Sequence, residues 1–166
     1  MLKEEVINKL IASNYTLSCA ESLTGGKFAS TITSYSGVSK FFLGGVVSYA
    51  NRIKNEVLNV SLNTLNTYGA VSKETALEMV LGVKKLYKSD IALSFTGNAG
   101  PSSMEGKEKG LVYIGLIYLH KLYVYEKHFN GDREEVRNAC VDFAFEKIYN
   151  FLQGNDSDLS IVSMEV

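Results

Sequence analysis

A serine, a tyrosine and a lysine set among glycine pairs are the residues of this sequence most able to do chemistry. Ser22 sits in Ala20-Glu21-Ser22-Leu23-Thr24-Gly25-Gly26-Lys27, where a short apolar run breaks into a glycine-rich turn. Unpaired N–H groups at a helix start stabilise an oxyanion or bind phosphate. Gly25 and Gly26 leave such groups open to close approach. A serine before Thr-Gly-Gly also serves as an ordinary turn or cap residue, and residue type alone leaves both readings open. Other motifs fail on spacing. A Walker A loop needs glycine where Glu21 stands and Ser or Thr where Phe28 stands. Ala20 and Thr24 flank Ser22, so there is no GxSxG elbow. No serine has lysine three residues later, and no GxGxxG occurs.

Three further segments carry candidate groups. Ser48-Tyr49-Ala50-Asn51-Arg52-Ile53-Lys54 leads from an apolar run into a short helix, so Tyr49 and Lys54 can reach one cleft. Lysine becomes a general base when burial or nearby positive charge lowers its pKa. On a solvated helix face it stays an ordinary cation. Ser94-Phe95-Thr96-Gly97-Asn98-Ala99-Gly100-Pro101 reads either as an anion-binding loop of amides and Thr96 or as a plain connection. Gly131-Asp132-Arg133 opens a helix, where Arg133 suits phosphate and Asp132 suits an N-cap. His120 and His128 lie in or beside a hairpin without a ligand or triad partner at a telling spacing. Cys19 and Cys140 lack CxxC spacing and read as buried free thiols in a reducing compartment. Neither a metal nor a cofactor is expected.

The elements that must position these groups follow from periodicity. Leu2, Val6, Ile7, Leu10 and Ile11 share one face of a helix over residues 3–13. A strand over 16–20, the Ser22 turn and a helix over 27–33 come next. Phe41–Tyr49 reads as a strand, and Gly44-Gly45 inside it marks a bulge or a close backbone approach. A short helix is expected over 51–58. Ser72 caps a long one through Lys88, with Ala76, Met79, Val80, Val83 and Leu86 on its apolar face. A strand over 91–95, a polar loop over 96–109 and a strand pair over 111–119 and 122–129 turn about His120-Lys121. Asp132-Arg133-Glu134-Glu135 is a capping-box pattern for a last helix ending near Leu152. This order predicts an α/β fold, a single layered α/β/α domain around a mixed β-sheet, over residues 1–153. Residues 154–166 form a tail to which no structure is assigned.

Composition excludes several classes. Lysine plus arginine is 17 against 18 acidic residues, a net charge of −1, which argues against direct nucleic-acid binding. No apolar run approaches the ~20 residues that span a bilayer, and the charged start is unlike a signal peptide. A cytoplasmic protein without membrane contact is therefore expected. Lysine outnumbers arginine 14 to 3, so each arginine is more informative than usual.

Taken together, the segments resemble one family. Ala20-Glu21-Ser22-x-Thr24-Gly25-Gly26 is followed by Gly44-Gly45-Val46-Val47-Ser48-Tyr49-x-Asn51-x-x-Lys54, Tyr68-Gly69-Ala70-Val71-Ser72, Thr96-Gly97-x-Ala99-Gly100-Pro101 and Gly131-Asp132-Arg133. Their order and separations are similar to those of the C-terminal domain of the competence/damage-inducible protein CinA, the nicotinamide-nucleotide amidases. The resemblance covers residues 3–152. It implies a CinA C-terminal-like fold and a homodimer or larger homo-oligomer. It implies hydrolysis of nicotinamide mononucleotide to nicotinic acid mononucleotide and ammonia. Ser22 would be the nucleophile and Lys54 the base, with Tyr49 bonded to one or the other. Thr24, Gly25 and Gly26 would surround the oxyanion, and Asn51, Thr96, Gly97, Gly100 and Arg133 would meet substrate.

The chain also departs from that pattern. Leu23 stands where the family usually has cysteine, and Asn98 where it commonly has isoleucine. The stretch Ser102–Gly110 replaces the family's frequent DGG and KPVG, which implies a different loop beside the site. The altered loop motivates an alternative, a catalytically weak or inactive nucleotide-binding or protein-interaction module of the same family.

Overall fold

The computed structural model describes residues 1–155 and 164–165. Helix α1 (Leu2–Ala12) turns Val6, Ile7 and Leu10 inward, and strand β1 (Leu17–Glu21) is buried along its whole length. Continuous burial is the mark of a central strand covered on both faces. Helix α2 (Lys27–Thr33) follows the Ser22 turn, and a short 3-10 turn (Val38–Lys40) leads into β2 (Phe42–Val47). Leu17 lies opposite Phe42 but Ser18 opposite Gly44, so Leu43 is an inserted residue. The glycine pair thus does mark a bulge, with Gly44 at φ +138°.

Helix α3 (Asn51–Leu58) is followed by α4 (Leu62–Tyr68), which the sequence reading did not foresee. Seven residues rich in Asn and Thr are too few and too polar to show a period. The Ser61 hydroxyl nevertheless caps the Thr64 amide at its start. Helix α5 (Lys73–Tyr87) is capped by Ser72 as expected and buries Thr75, Ala76, Met79, Val80 and Val83. Leu86 was expected on that face, but it lies near the end of the helix and is 53% exposed.

Strand β3 (Ile91–Gly97), β4 (Leu111–Tyr118) and β5 (Lys121–His128) complete most of the sheet. The β4–β5 turn is Leu119-His120, one residue earlier than expected, with Leu119 at φ +57°. Helix α6 (Arg133–Leu152) opens with a complete capping box: Asp132 accepts from the Glu135 amide, and Glu135 accepts from the Asp132 amide. Strand β6 (Met164–Glu165) pairs with the start of β5, and the rest of the tail beyond residue 155 lies outside the described residues.

The sheet order is β2-β1-β3-β4-β5-β6. β1 pairs parallel with β2 and β3, and the remaining pairs are antiparallel, which makes the sheet mixed. One core lies on the face covered by α1, α2 and α6, where Phe28 packs on Phe95 and Phe145. The other lies under α3, α4 and α5, around Leu58, Leu65, Met79, Val80 and Val83. This is the layered α/β/α arrangement. No helix among the described residues is long and apolar enough to cross a membrane.

Candidate active site

The three parallel strands point their carboxyl ends at one place. The chain leaves β1 for β2 on one side and returns to β3 on the other, so β1 and β3 flank a switch in direction. Open α/β sheets bind ligands at such a point. A cavity of about 210 Å³ lies there, bordered by Ser22, Lys54, Thr96, Gly97 and Arg133 among others. Tyr49 and Met104 line it while 60% and 57% exposed, and they form its mouth.

Ser22 follows directly after β1. Its amide donates to the Phe95 carbonyl at 2.9 Å, and its carbonyl accepts from the Gly25 amide at 3.0 Å. The turn behind it is fixed by Glu21. That buried carboxylate accepts from the Phe28 and Ala29 amides at 2.9 and 3.0 Å, two of the unpaired donors at the start of α2. Arg137 of α6 fixes the turn from outside, donating to the carbonyls of Leu23 at 3.1 Å and Thr24 at 2.9 Å. In a trans peptide the N–H points opposite to the C=O. Holding the Leu23 carbonyl toward Arg137 therefore turns the Thr24 amide the other way.

Lys54 is 1% exposed, on the face of α3 that also buries Leu58. Its amino group donates to the Tyr49 carbonyl at 3.0 Å. Burial pushes its pKa down to about 8, although the Glu105 carboxylate pulls it upward. An amine of that pKa is neutral in roughly one molecule in ten at pH 7 and can take a proton.

The opposite wall comes from β3 and the loop after it. The Thr96 hydroxyl donates to the Ala70 carbonyl at 2.6 Å, which ties β3 to the segment before α5. Gly97 has no room for a side chain, since a Cβ would lie 2.6 Å from the Leu111 carbonyl oxygen. Arg133, the first residue of α6, donates to the Gly100 carbonyl at 2.8 Å and the Tyr49 hydroxyl at 3.0 Å.

The structure thus gathers Ser22, Tyr49, Asn51, Lys54, Thr96, Gly97, Gly100 and Arg133 around one cavity. Four expected contacts lie elsewhere. Gly25 and Gly26 line a separate shallow depression with Lys27 and Ser30, because the turn curls away from the cavity into α2. The Gly25 amide is also already taken by Ser22. Thr24 is wholly buried and does not border the cavity, and its hydroxyl has no partner among the described residues. The Tyr49 hydroxyl, expected at Ser22 or Lys54, accepts from Arg133, and Tyr49 meets Lys54 through its carbonyl. Glu21, Glu105 and Arg137 went unnoticed in the sequence. The scarcity of arginine, three in the chain, was the available signal for Arg137.

The CinA C-terminal domain model matches residues 1–152. A Bacillus subtilis protein named as competence-damage inducible is 48% identical over 138 residues, 83% of this chain and 33% of that one. A like-named protein of Caldanaerobacter subterraneus is 44% identical over 157 residues, 93% of this chain and 38% of that one. The chain thus spans little more than a third of the length of these relatives. A CinA superfamily structure from Klebsiella pneumoniae has a TM-score of 0.88 at 32% identity, covering 92% of this chain and 96% of that one. One from Escherichia coli has a TM-score of 0.87 at 33% identity, covering 90% and 88%. By its matched family model, its relatives and its architecture, the chain belongs to the CinA C-terminal domain family.

Proposed function

We propose that the protein is an amidase that converts nicotinamide mononucleotide to nicotinic acid mononucleotide and ammonia, with Ser22 as nucleophile and Lys54 as base. The observation that carries this reading is the buried Lys54 amine, with its pKa lowered to about 8, on the same cavity as Ser22. A surface lysine would hold its proton at neutral pH. Neutral Lys54 has two N–H bonds and one lone pair. One N–H goes to the Tyr49 carbonyl, which leaves the lone pair to accept the Ser22 hydroxyl proton.

The Ser22 oxygen then attacks the carboxamide carbon, and the carbonyl oxygen becomes an oxyanion. The backbone amides of the turn after Ser22, which enters the cavity wall at Leu23, are the donors we assign to it. Protonated Lys54 returns the proton to the leaving nitrogen, the C–N bond breaks, and ammonia departs. Water hydrolyses the resulting ester with Lys54 again as base, giving the carboxylic acid and free Ser22. Arg133 stands at the cavity with two of its five donors used, and the others suit the substrate phosphate.

Incubation with nicotinamide mononucleotide and measurement of ammonia tests the proposal. Release by the natural chain and its loss in Ser22→Ala are expected. No ammonia from the natural chain, or undiminished release from Ser22→Ala, sinks it.

A further inference from the structure

The loop in which this chain departs from its family pattern is built as a clasp over the cavity. Asn98 organises it from within. Its side-chain amide donates to the carbonyls of Met104 and Lys107, both at 3.2 Å, and its side-chain oxygen accepts from the Met104 amide at 3.3 Å. Isoleucine at this position could supply none of these bonds. The tip then reaches across to the segment before α5. Glu105 accepts from the amides of Ala70 at 2.8 Å and Val71 at 3.0 Å. Lys107 donates to the carbonyls of Tyr68 and Val71, both at 2.5 Å, and to Glu105 at 3.2 Å. Between these anchors, Ser102 and Met104 are held in the cavity wall.

Met104 is the unusual member. It borders the cavity yet remains 57% exposed, although the chain on both sides of it is tied down. Such a thioether is a flexible apolar surface suited to the face or edge of an aromatic ring. We infer that Met104 is a specificity-determining residue that packs on the planar heteroaromatic ring of the substrate, and that Asn98, Glu105 and Lys107 are the positioning residues that hold it there. This deepens the amidase reading and rests on it only in taking this cavity as the place where substrate sits.

Two measurements separate the two ideas. Calorimetry of nicotinamide mononucleotide on the Ser22→Ala chain reads binding without turnover. Adding Met104→Ala or Glu105→Ala should weaken binding about tenfold, the scale of one apolar contact with a ligand, and Met104→Leu should restore most of it. With Ser22 present, Met104→Ala should raise KM about tenfold and leave kcat within about twofold, the split that marks lost uniform binding. Amide hydrogen exchange at Ala70 and Val71 should quicken in Glu105→Ala and not in Met104→Ala, which separates release of the clasp from general unfolding. Absent ammonia with weakened variant binding removes the amidase reading and leaves the clasp standing. Ammonia release with unchanged binding in both variants overturns the clasp. So does failure of the Ser22→Ala chain to bind the nucleotide.

Discussion

Lys54 is an amine buried in the wall of the cavity, 1% exposed, and that placement has a measurable signature. The base must be neutral to act, so kcat/KM should rise with pH through about 8 and then level off. A profile already flat between pH 6 and 7 would remove Lys54 from the role. Lys54→Ala should lower kcat by ~10²–10⁴, the usual worth of a positioned base. Residue type alone left Ser22 and Lys54 open between chemistry and an ordinary turn or helix face; the order and separations of the segments singled them out through the family resemblance, and the fold brings both to one cavity. The direction of the Tyr49 hydroxyl was not legible. It depends on Arg133, 84 positions along the chain, and no local pattern encodes that meeting. Glu21 was hidden for the opposite reason: a glutamate before a helix reads as a solvated charge, whereas here the helix amides Phe28 and Ala29 hold it in the interior.

The elements carry these groups as units, and helix contacts decide where the base stands. A Cβ on Gly82 of α5 would collide with the Leu58 carbonyl oxygen at the end of α3. Gly82→Ala should therefore push α3, and Lys54 with it, out of register. A stability loss of ~1–3 kcal/mol is expected for such overpacking. Activity should fall further than the folded fraction does, as read by urea titration beside ammonia release. The clasp has its own pH response. Burial would raise the Glu105 pKa, but the Val71 and Ala70 amides and Lys107 together hold it below the ordinary 4.5. A depressed carboxylate stabilises the fold above its unfolded value, and that contribution is lost as pH falls through the folded one. Protection of the Ala70 and Val71 amides, measured against their intrinsic exchange rates at each pH, should therefore weaken only below pH 4.5, the ordinary value. Helices α1, α3, α5 and α6 and the first five strands were legible from period and caps. Helix α4 was not, and the loop over 98–110 showed its difference from the family without showing its shape. Its form rests on side chains gripping backbone far away in sequence.

Across the whole molecule, two cores on opposite faces of one sheet brace a site at the carboxyl ends of its parallel strands. Phe145 sits in the core far along α6 from Arg133, packed on Phe28 and over 98% buried. Phe145→Ala should cost ~3–5 kcal/mol, as large aromatic truncations do. The molecules that remain folded should keep their KM, because α6 still starts at the same capping box. A changed KM would mean that the sheet transmits core strain to the cavity. The layered α/β/α architecture was readable from the order of elements, since alternating strands and helices leave few other ways to bury both faces of a sheet. The return of Met164–Glu165 to β5 was not, because two residues carry no periodic signal.

Glu105 and Lys107 grip the neighbouring segment by its main chain alone. Every residue type presents the same carbonyl, and every type but proline the same amide. The fastening is therefore blind to the side chains at 68, 70 and 71, two of which face the cavity. Evolution or an engineer can re-line that wall at Ala70 and Val71 without undoing what closes over it, so the pocket's shape and its closure can be varied separately.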